Sequence, residues 1–297
     1  KSSSSSESGA FISGSMDIRK FELASLNLPS PIEEIFDECW NSRGIQVFVK
    51  RDDLIHPIIS GNKWRKLKNY LQTFSFNTHS GLLSFGGAYS NHLYALAFAG
   101  HSLGIPTAGI IRGEELDATS NPYLSQMNEW GMKLHFVSRA IYREKVVPTE
   151  YDNYEMIPEG GYGFPAIEGM KTLVYELPSC DAIYCAIGTG ATAIGIARAS
   201  RVPVIGILTL NNQTEIQSHL IDFPATNLRI DDNYIFGKYA KQNHDLDLFC
   251  TNFSNKHQIP IEPIYTGRLF YALIDHIKNG HIAPDSKLVA IHSGGIK

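Results

Sequence analysis

Short apolar runs alternate with longer amphipathic stretches along most of this chain, and that rhythm restricts the fold more than any other property of the sequence. Strands are expected at 81–85, 106–111 and 133–137, with helices at 91–103 and 121–130 between them. The pattern resumes with a helix at 166–177, a strand at 182–187, a helix at 192–200, a strand at 204–210 and a helix at 213–220. It closes with a helix at 269–278 and a strand at 287–291. Strands joined by helices of this length build parallel sheets through right-handed crossovers. The expected class is therefore α/β, with two open, twisted, mainly parallel sheets flanked by helices. No repeat of fixed period interrupts it.

The remaining segments divide the chain. Residues 1–15 are serine-rich without the apolar core of a secretory signal, and read as a tag or disordered lead-in. Residues 139–154 are polar and aromatic around Pro148, and read as a link between sub-domains. The division that follows is a large domain of 16–65 with 152–297 and a small domain of 66–151. A short helix is expected at 32–38 after Pro31 and a strand at 46–51, while 231–247 is acidic and aromatic without an assigned element.

Charge narrows the partners. With 26 basic and 30 acidic residues the net charge is -4, which gives no basic field for nucleic acid or an anionic membrane. Small neutral or zwitterionic ligands are the expected partners. The most apolar stretch, 182–197, is short for a membrane span and is broken by Gly188-Thr189-Gly190. Cys39, Cys180, Cys185 and Cys250 show neither a CxxC pair nor zinc spacing, and read as reduced thiols of a cytoplasmic protein. Without HExxH or an equivalent histidine pattern, no metal site is expected.

One lysine stands out within the rhythm. In Ser60-Gly61-Asn62-Lys63-Trp64-Arg65-Lys66-Leu67 an extended segment turns into a helix marked by Trp64, Leu67, Tyr70, Leu71 and Phe74 at helical spacing. Asn62 is the expected N-cap, which puts Lys63 in the first turn. A cation there opposes the positive end of the helix dipole. If it is also partly desolvated, its pKa falls toward the neutral amine that forms a Schiff base. The alternative is that Lys63, Arg65, Lys66 and Lys68 make a solvated helix face.

Four loops could carry chemistry. Gly86-Gly87-Ala88-Tyr89-Ser90-Asn91-His92 joins a strand to an alanine-rich helix, whose opening N–H groups suit a carboxylate alongside the Ser90 hydroxyl and the Asn91 amide. It also reads as a well-capped helix after a tight turn. Gly188-Thr189-Gly190-Ala191-Thr192 is a nest suited to a phosphate. Its spacing matches a degenerate dinucleotide fingerprint too, although Leu208-Thr209-Leu210-Asn211 lacks the acid expected for the ribose. Glu262-Pro263-Ile264-Tyr265-Thr266-Gly267 offers Tyr265 as acid or base and Thr266 as a neutral hydrogen-bond partner, or is a turn with a buried tyrosine. His292-Ser293-Gly294-Gly295 follows the last strand.

Taken in order, Gly61-Asn62-Lys63-x-Arg65-Lys66-Leu67, Gly87-x-x-Ser90-Asn91-His92, Pro158-Glu159-Gly160-Gly161, Gly188-Thr189-Gly190-x-Thr192, Pro263-Ile264-Tyr265-x-Gly267 and His292-x-Gly294-Gly295 resemble the 1-aminocyclopropane-1-carboxylate deaminase and D-cysteine desulfhydrase family. That is a pyridoxal-phosphate family of the tryptophan synthase β-subunit fold, PLP fold type II, with its cofactor at the domain junction. The resemblance implies that Lys63 holds pyridoxal 5'-phosphate as a Schiff base and moves protons. It implies that Asn91 bonds the cofactor's phenolic oxygen and that Gly188, Thr189, Gly190, Ala191 and Thr192 hold its phosphate. Ser90, Asn91, His92, Tyr265 and Ser293 would meet a small amino-acid substrate, and the protein would be a homodimer. The family pattern is expected to run on beyond Lys297.

The family's two branches differ at readable positions. The resemblance places a glutamate after the motif tyrosine in ring-opening deaminases, beside the pyridine nitrogen, and a leucine in the last motif. This chain has Thr266 and Ser293, although desulfhydrases are expected to carry threonine in place of Ser293. A carboxylate beside the ring favours the pyridinium and a strong electron sink, whereas a threonine hydroxyl favours the neutral ring. Opening an unactivated cyclopropane needs the stronger sink. D-cysteine desulfhydrase is therefore the expected activity, giving pyruvate, ammonia and hydrogen sulfide. The alternatives are 1-aminocyclopropane-1-carboxylate deaminase, a β-eliminase or racemase for an amino acid such as D-serine, and a non-catalytic ligand-binding homologue.

Overall fold

The computed structural model describes residues 26–236 and 243–295, so the lead-in at 1–15 lies outside the described residues. Among the described residues, ten strands form two sheets. The first contains β1 (Ile32–Ile35), β2 (Gln46–Lys50), β7 (Ala182–Ile187), β8 (Val204–Leu208), β9 (Leu228–Asp231) and β10 (Lys287–Ile291), in the order β1-β2-β10-β7-β8-β9. Only β1 runs antiparallel, against β2. The second contains β3 (Gly81–Gly87), β4 (Thr107–Arg112), β5 (Lys133–Val137) and β6 (Tyr154–Ile157), in the order β5-β4-β3-β6 and parallel throughout.

The helices are α1 (Glu38–Asn41), α2 (Asn62–Thr73), α3 (Asn91–Leu103), α4 (Pro122–Glu129), α5 (Arg139–Glu144), α6 (Phe164–Val174), α7 (Ala191–Ala199), α8 (Gln213–Asp222), α9 (His244–His257) and α10 (Thr266–Lys278). Strands such as β7 and β10, covered on both faces, are almost wholly apolar, as central parallel strands must be. Among the described residues no helix is long and apolar enough to cross a membrane.

Three local expectations are corrected. The helix expected at 32–38 is instead strand β1 followed by the single turn α1. Pairing of Ile32 to Ile35 with Lys50 to Val47 overrides the helical preference of the two glutamates, and Asp37 caps α1 by accepting from the Cys39 N–H. The link expected at 139–154 contains α5, and its last residue opens β6, which adds a fourth strand beside β3. The region at 231–247 ends β9 and begins α9, whose N-cap Asn243 accepts from the Asp245 and Leu246 N–H groups; residues 237–242 lie outside the described residues.

Helix α2 is held by buried charge. Arg65 spans Asp52 (Nε to Oδ2 2.7 Å, NH2 to Oδ1 2.8 Å) and Glu176 (NH1 to Oε1 2.8 Å, NH2 to Oε2 2.7 Å). Lys50 Nζ reaches Glu176 at 2.6 Å, and the Ser30 hydroxyl donates to Asp52 at 2.6 Å. The backbone carbonyl of Asp52 also accepts the Gly61 N–H at 2.8 Å, just ahead of α2. Arg65 and Lys66 are only 1% and 5% exposed, so the alternative of a solvated basic face does not hold for these two residues. Burial pushes the Glu176 carboxyl up, but hydrogen bonds from Arg65 and Lys50 outweigh it and hold the pKa below the usual range.

Removing one partner of such a network strands a buried charge. Asp52→Ala is expected to cost about 3–5 kcal/mol in urea unfolding. Lys171→Ala, which breaks the surface pair with Glu168, should stay within about 0.5 kcal/mol of wild type. Because the Glu176 pKa is depressed on folding, its contribution is present above the ordinary carboxylate range and is lost as pH falls through and below it.

Candidate active site

The carboxyl ends of parallel strands are where open α/β sheets bind ligands. There the loops after β7 and β10, the start of α2 and the start of α3 enclose a cavity of about 80 Å³. It is lined by Asn62, Lys63, Lys66, Asn91, Gly188, Thr189, Gly190, Thr192, Tyr265 and Ser293, among others. Residues more than 200 positions apart in sequence thus share one wall, as with Lys63 and Ser293. A larger cavity of about 830 Å³ opens near the amino ends of β7, β8 and β10. Its four acids are already engaged, Asp181 with the Lys287 N–H, Asp231 with His276, Asp232 with Gln213 and Asp275 with Tyr234, so it does not compete as the site.

Lys63 stands at the second position of α2. The N-cap is Gly61, not Asn62 as expected, because Gly61 adopts φ +64° and lets the last loop press against it. A Cβ at Gly61 would fall 1.8 Å from the Ser293 carbonyl oxygen, which in turn accepts the Asn62 N–H at 3.2 Å. Asn62 is thereby freed for the site. Its Oδ1 accepts from Lys63 Nζ at 2.6 Å and its Nδ2 donates to Thr192 Oγ1 at 2.9 Å. One amide therefore ties the lysine to the glycine loop. Burial pushes the Lys63 amine down to about 8, against an opposing pull from Glu262.

The glycine loop has the form of an anion cradle. Gly188 lets the Tyr265 ring approach the loop closely, since a Cβ there would meet that ring at 3.1 Å and push it back. Thr189 Oγ1 is buried without a partner, and α7 begins at Ala191, so its first N–H groups face the same space. Lys66, one turn after Lys63, donates from Nζ to the Gly160 carbonyl at 3.1 Å. Burial and the neighbouring Lys63 hold its amine well below the usual lysine range. Two crowded amines, a nest of N–H groups and an orphaned hydroxyl together fit a phosphate.

Not every expected residue reaches the cavity wall. Lys63, Asn91, Gly188, Thr189, Gly190, Thr192, Tyr265 and Ser293 line it, while Ser90, His92, Ala191 and Thr266 stand behind. Ser90 caps α3 by accepting from the Leu93 N–H at 3.2 Å, so its own proton remains to donate. His92 is buried, with Nε2 2.9 Å from the Ser84 hydroxyl and Nδ1 without a partner. Burial, then Lys66 and Lys63, push its pKa down to about 3, which keeps it neutral. Thr266 is fully buried and bonded to Glu262.

Sequence reasoning missed Asn62 as a linking residue, Lys66 and Glu262. For Lys66 a signal existed: three positions after Lys63, it shares that residue's helix face. Nothing in the sequence marked Glu262 beyond its place in the tyrosine motif.

These features define a class, a two-sheet α/β protein with a desolvated lysine facing a phosphate cradle. The family model described as pyridoxal-phosphate dependent enzyme matches residues 35–294, and the chain belongs to that family. Its cofactor is pyridoxal 5'-phosphate. A Pyrococcus abyssi protein named "Putative 1-aminocyclopropane-1-carboxylate deaminase" is 26% identical over 289 residues, covering 85% of each chain. The Arabidopsis thaliana mitochondrial bifunctional D-cysteine desulfhydrase/1-aminocyclopropane-1-carboxylate deaminase is 26% identical over 323 residues, covering 93% of this chain and 78% of its own. A solved structure of an ACC deaminase homologue superposes with a TM-score of 0.75 at 23% identity, over 92% of this chain and 91% of its own.

The lysine gives a pH test. A lowered pKa makes the neutral amine available at lower pH, so adduct formation at Lys63 by pyridoxal, which brings no phosphate counter-charge, should rise with a midpoint near 8 in the cofactor-free protein. Borohydride trapping and peptide mass spectrometry read it out. A midpoint near the ordinary lysine value of 10.5 would refute the desolvation argument.

Proposed function

We propose that the protein is a pyridoxal-phosphate lyase for small D-amino acids, with D-cysteine as substrate and pyruvate, ammonia and hydrogen sulfide as products. The observation that carries this reading is the shared cavity of Lys63, the Gly188 to Thr192 loop and Tyr265, with Thr266 in place of a glutamate directly after the tyrosine. The Arabidopsis relative, whose name includes this activity, supports it.

When bound, the cofactor supplies an electron sink for the bond broken at the substrate α-carbon. The chain does the rest. The glycine loop, the opening N–H groups of α7 and Lys66 would hold the phosphate, and the Asn91 amide would bond the ring oxygen. The substrate carboxylate rests at the start of α3, where Ser90 donates its hydroxyl proton. Lys63 Nζ, whose pKa burial lowers to about 8 and which Asn62 Oδ1 orients, would take the α-proton. Sulfide would leave from the β-carbon, and Tyr265, which lines the same cavity, would give or take a proton there. One water enters, and one ammonia and one hydrogen sulfide depart with the pyruvate. The free cysteines at 39, 180, 185 and 250 support a reducing compartment such as the cytoplasm, and the family resemblance supports a homodimer.

A second reading is ring-opening deamination of 1-aminocyclopropane-1-carboxylate to 2-oxobutanoate and ammonia. The name of the Pyrococcus relative and the second activity in that of the Arabidopsis one favour it.

Lys63→Ala should abolish the yellow colour of the cofactor-loaded protein and lower turnover by roughly 10³-fold or more. A colourless wild type after cofactor addition would end the proposal. A panel of D- and L-amino acids assayed for sulfide, ammonia and oxoacid decides between the readings. Activity on the cyclopropane substrate with none on D-cysteine would reverse the choice, and Thr266→Glu with Ser293→Leu should shift activity toward ring opening.

A further inference from the structure

Glu262 precedes the turn into α10, and its carboxylate is unusually well bonded for a partly exposed acid. Oε2 accepts the Ile264 N–H at 2.7 Å, while Oε1 accepts the Tyr265 N–H at 2.9 Å and the Thr266 N–H at 2.8 Å. The Thr266 hydroxyl donates to Oε1 at 3.1 Å and itself accepts the Glu262 N–H at 2.9 Å. Thr266 is fully buried, so water offers no other partner. A hydroxyl has one proton, and of the two acceptors in reach, Glu262 Oε1 at 3.1 Å and the Glu262 backbone carbonyl at 3.4 Å, the nearer and charged carboxylate takes it. What Thr266 has left is a lone pair.

The same carboxylate borders the cavity. A Cβ built at Gly295, which lines it, would be 3.9 Å from Glu262 Oε1, and the charge of Glu262 acts on Lys63. Among the described residues lining the cavity there are two lysines and no acid. Glu262 therefore stands beside Gly295 at the margin of a cavity whose charged lining is cationic.

We propose that Glu262 is a positioning residue of the site: as an anion it fixes the backbone at Tyr265 and turns the Thr266 hydroxyl into an acceptor, and the reaction depends on both. This rests on the function proposed above. It also revises the expectation for position 266, since a threonine whose proton is engaged cannot donate to a neutral ring nitrogen and can accept from a protonated one. A glutamate four residues earlier then does part of what a glutamate at 266 would do.

A helix cap needs only an acceptor oxygen, which a glutamine retains, so Glu262→Gln separates capping from charge. Its amide N–H would also compete for the Thr266 oxygen and release the hydroxyl proton. The experiment compares Glu262→Gln, Glu262→Asp, Thr266→Val and the Gln/Val double variant, each loaded with pyridoxal phosphate. The readouts are the absorption maximum, the cofactor Kd, kcat and KM for D-cysteine, and the melting temperature.

Glu262→Gln should shift the absorption maximum and lower kcat by about tenfold with KM within about twofold, the scale of losing a hydrogen bond to a charged group. Glu262→Asp should recover most of the loss. The double variant should be no worse than the more damaging single one, because the two residues act as a unit. A Glu262→Gln protein that melts earlier but keeps its spectrum and kcat, or losses that add fully, would reduce Glu262 to a helix cap and overturn the inference. Those results leave the proposed function standing, whereas a wild type that takes up no cofactor removes both.

Discussion

Everything at the site depends on α2 staying where the buried pair of Arg65 and Asp52 puts it. Arg65 lies two positions after Lys63 along the chain, so the guanidinium that is locked between Asp52 and Glu176 fixes the helical phase of the lysine. The Asp52 carbonyl holds the Gly61 N–H at the same time, which sets where the helix starts. Buried ion pairs are weak evidence for stability, because desolvating the ions offsets most of their attraction. Their value here is orientation: only one rotation of α2 satisfies a two-toothed contact to carboxylates from two directions.

That rotation has an electrostatic cost which the structure accepts. It turns Lys63 and Lys66 into the same confined space, at the positive end of their own helix dipole, with neutral His92 behind them. Three basic groups in low dielectric, with no acid lining the cavity beside them, hold their protons less tightly. The lowered pKa values are that tendency made visible. A phosphate dianion would reverse it by giving the lysines a counter-charge, so the pocket is tuned to be completed by an anion. The partnerless Thr189 hydroxyl points to the same conclusion from hydrogen bonding.

Much of this was legible in the sequence, for reasons that differ from residue to residue. The limits of α3, β5, β7 and β10 follow from strong local signals: apolar runs bounded by Ser90, Gly104 or Gly188, whose preferences agree with the fold. The motif resemblance gathered Lys63, Asn91, the glycine loop and Tyr265, which the fold does bring to one cavity. What failed were elements decided by distant partners. Ile32 to Ile35 is a strand only because β2 offers an edge, and β6 exists only beside β3. Arg65 and Lys66 looked like a solvated face because their acids, Asp52 and Glu176, and the Gly160 carbonyl are supplied by other segments. Sequence shows charge; it does not show which way a charge faces.

The same limit explains why reading branch identity from position 266 alone is incomplete. A side chain's chemical role depends on which of its donor and acceptor sites its neighbours consume, and Thr266 has its proton consumed by Glu262. Two chains with threonine at this position can therefore present opposite hydrogen-bonding character to the pocket, depending on an acid four residues away. The residue pair, acid at 262 and hydroxyl at 266, is the unit that sets the polarity there. Comparing family members by that pair asks how much negative charge stands behind the ring, which is the quantity that separates a strong electron sink from a weak one.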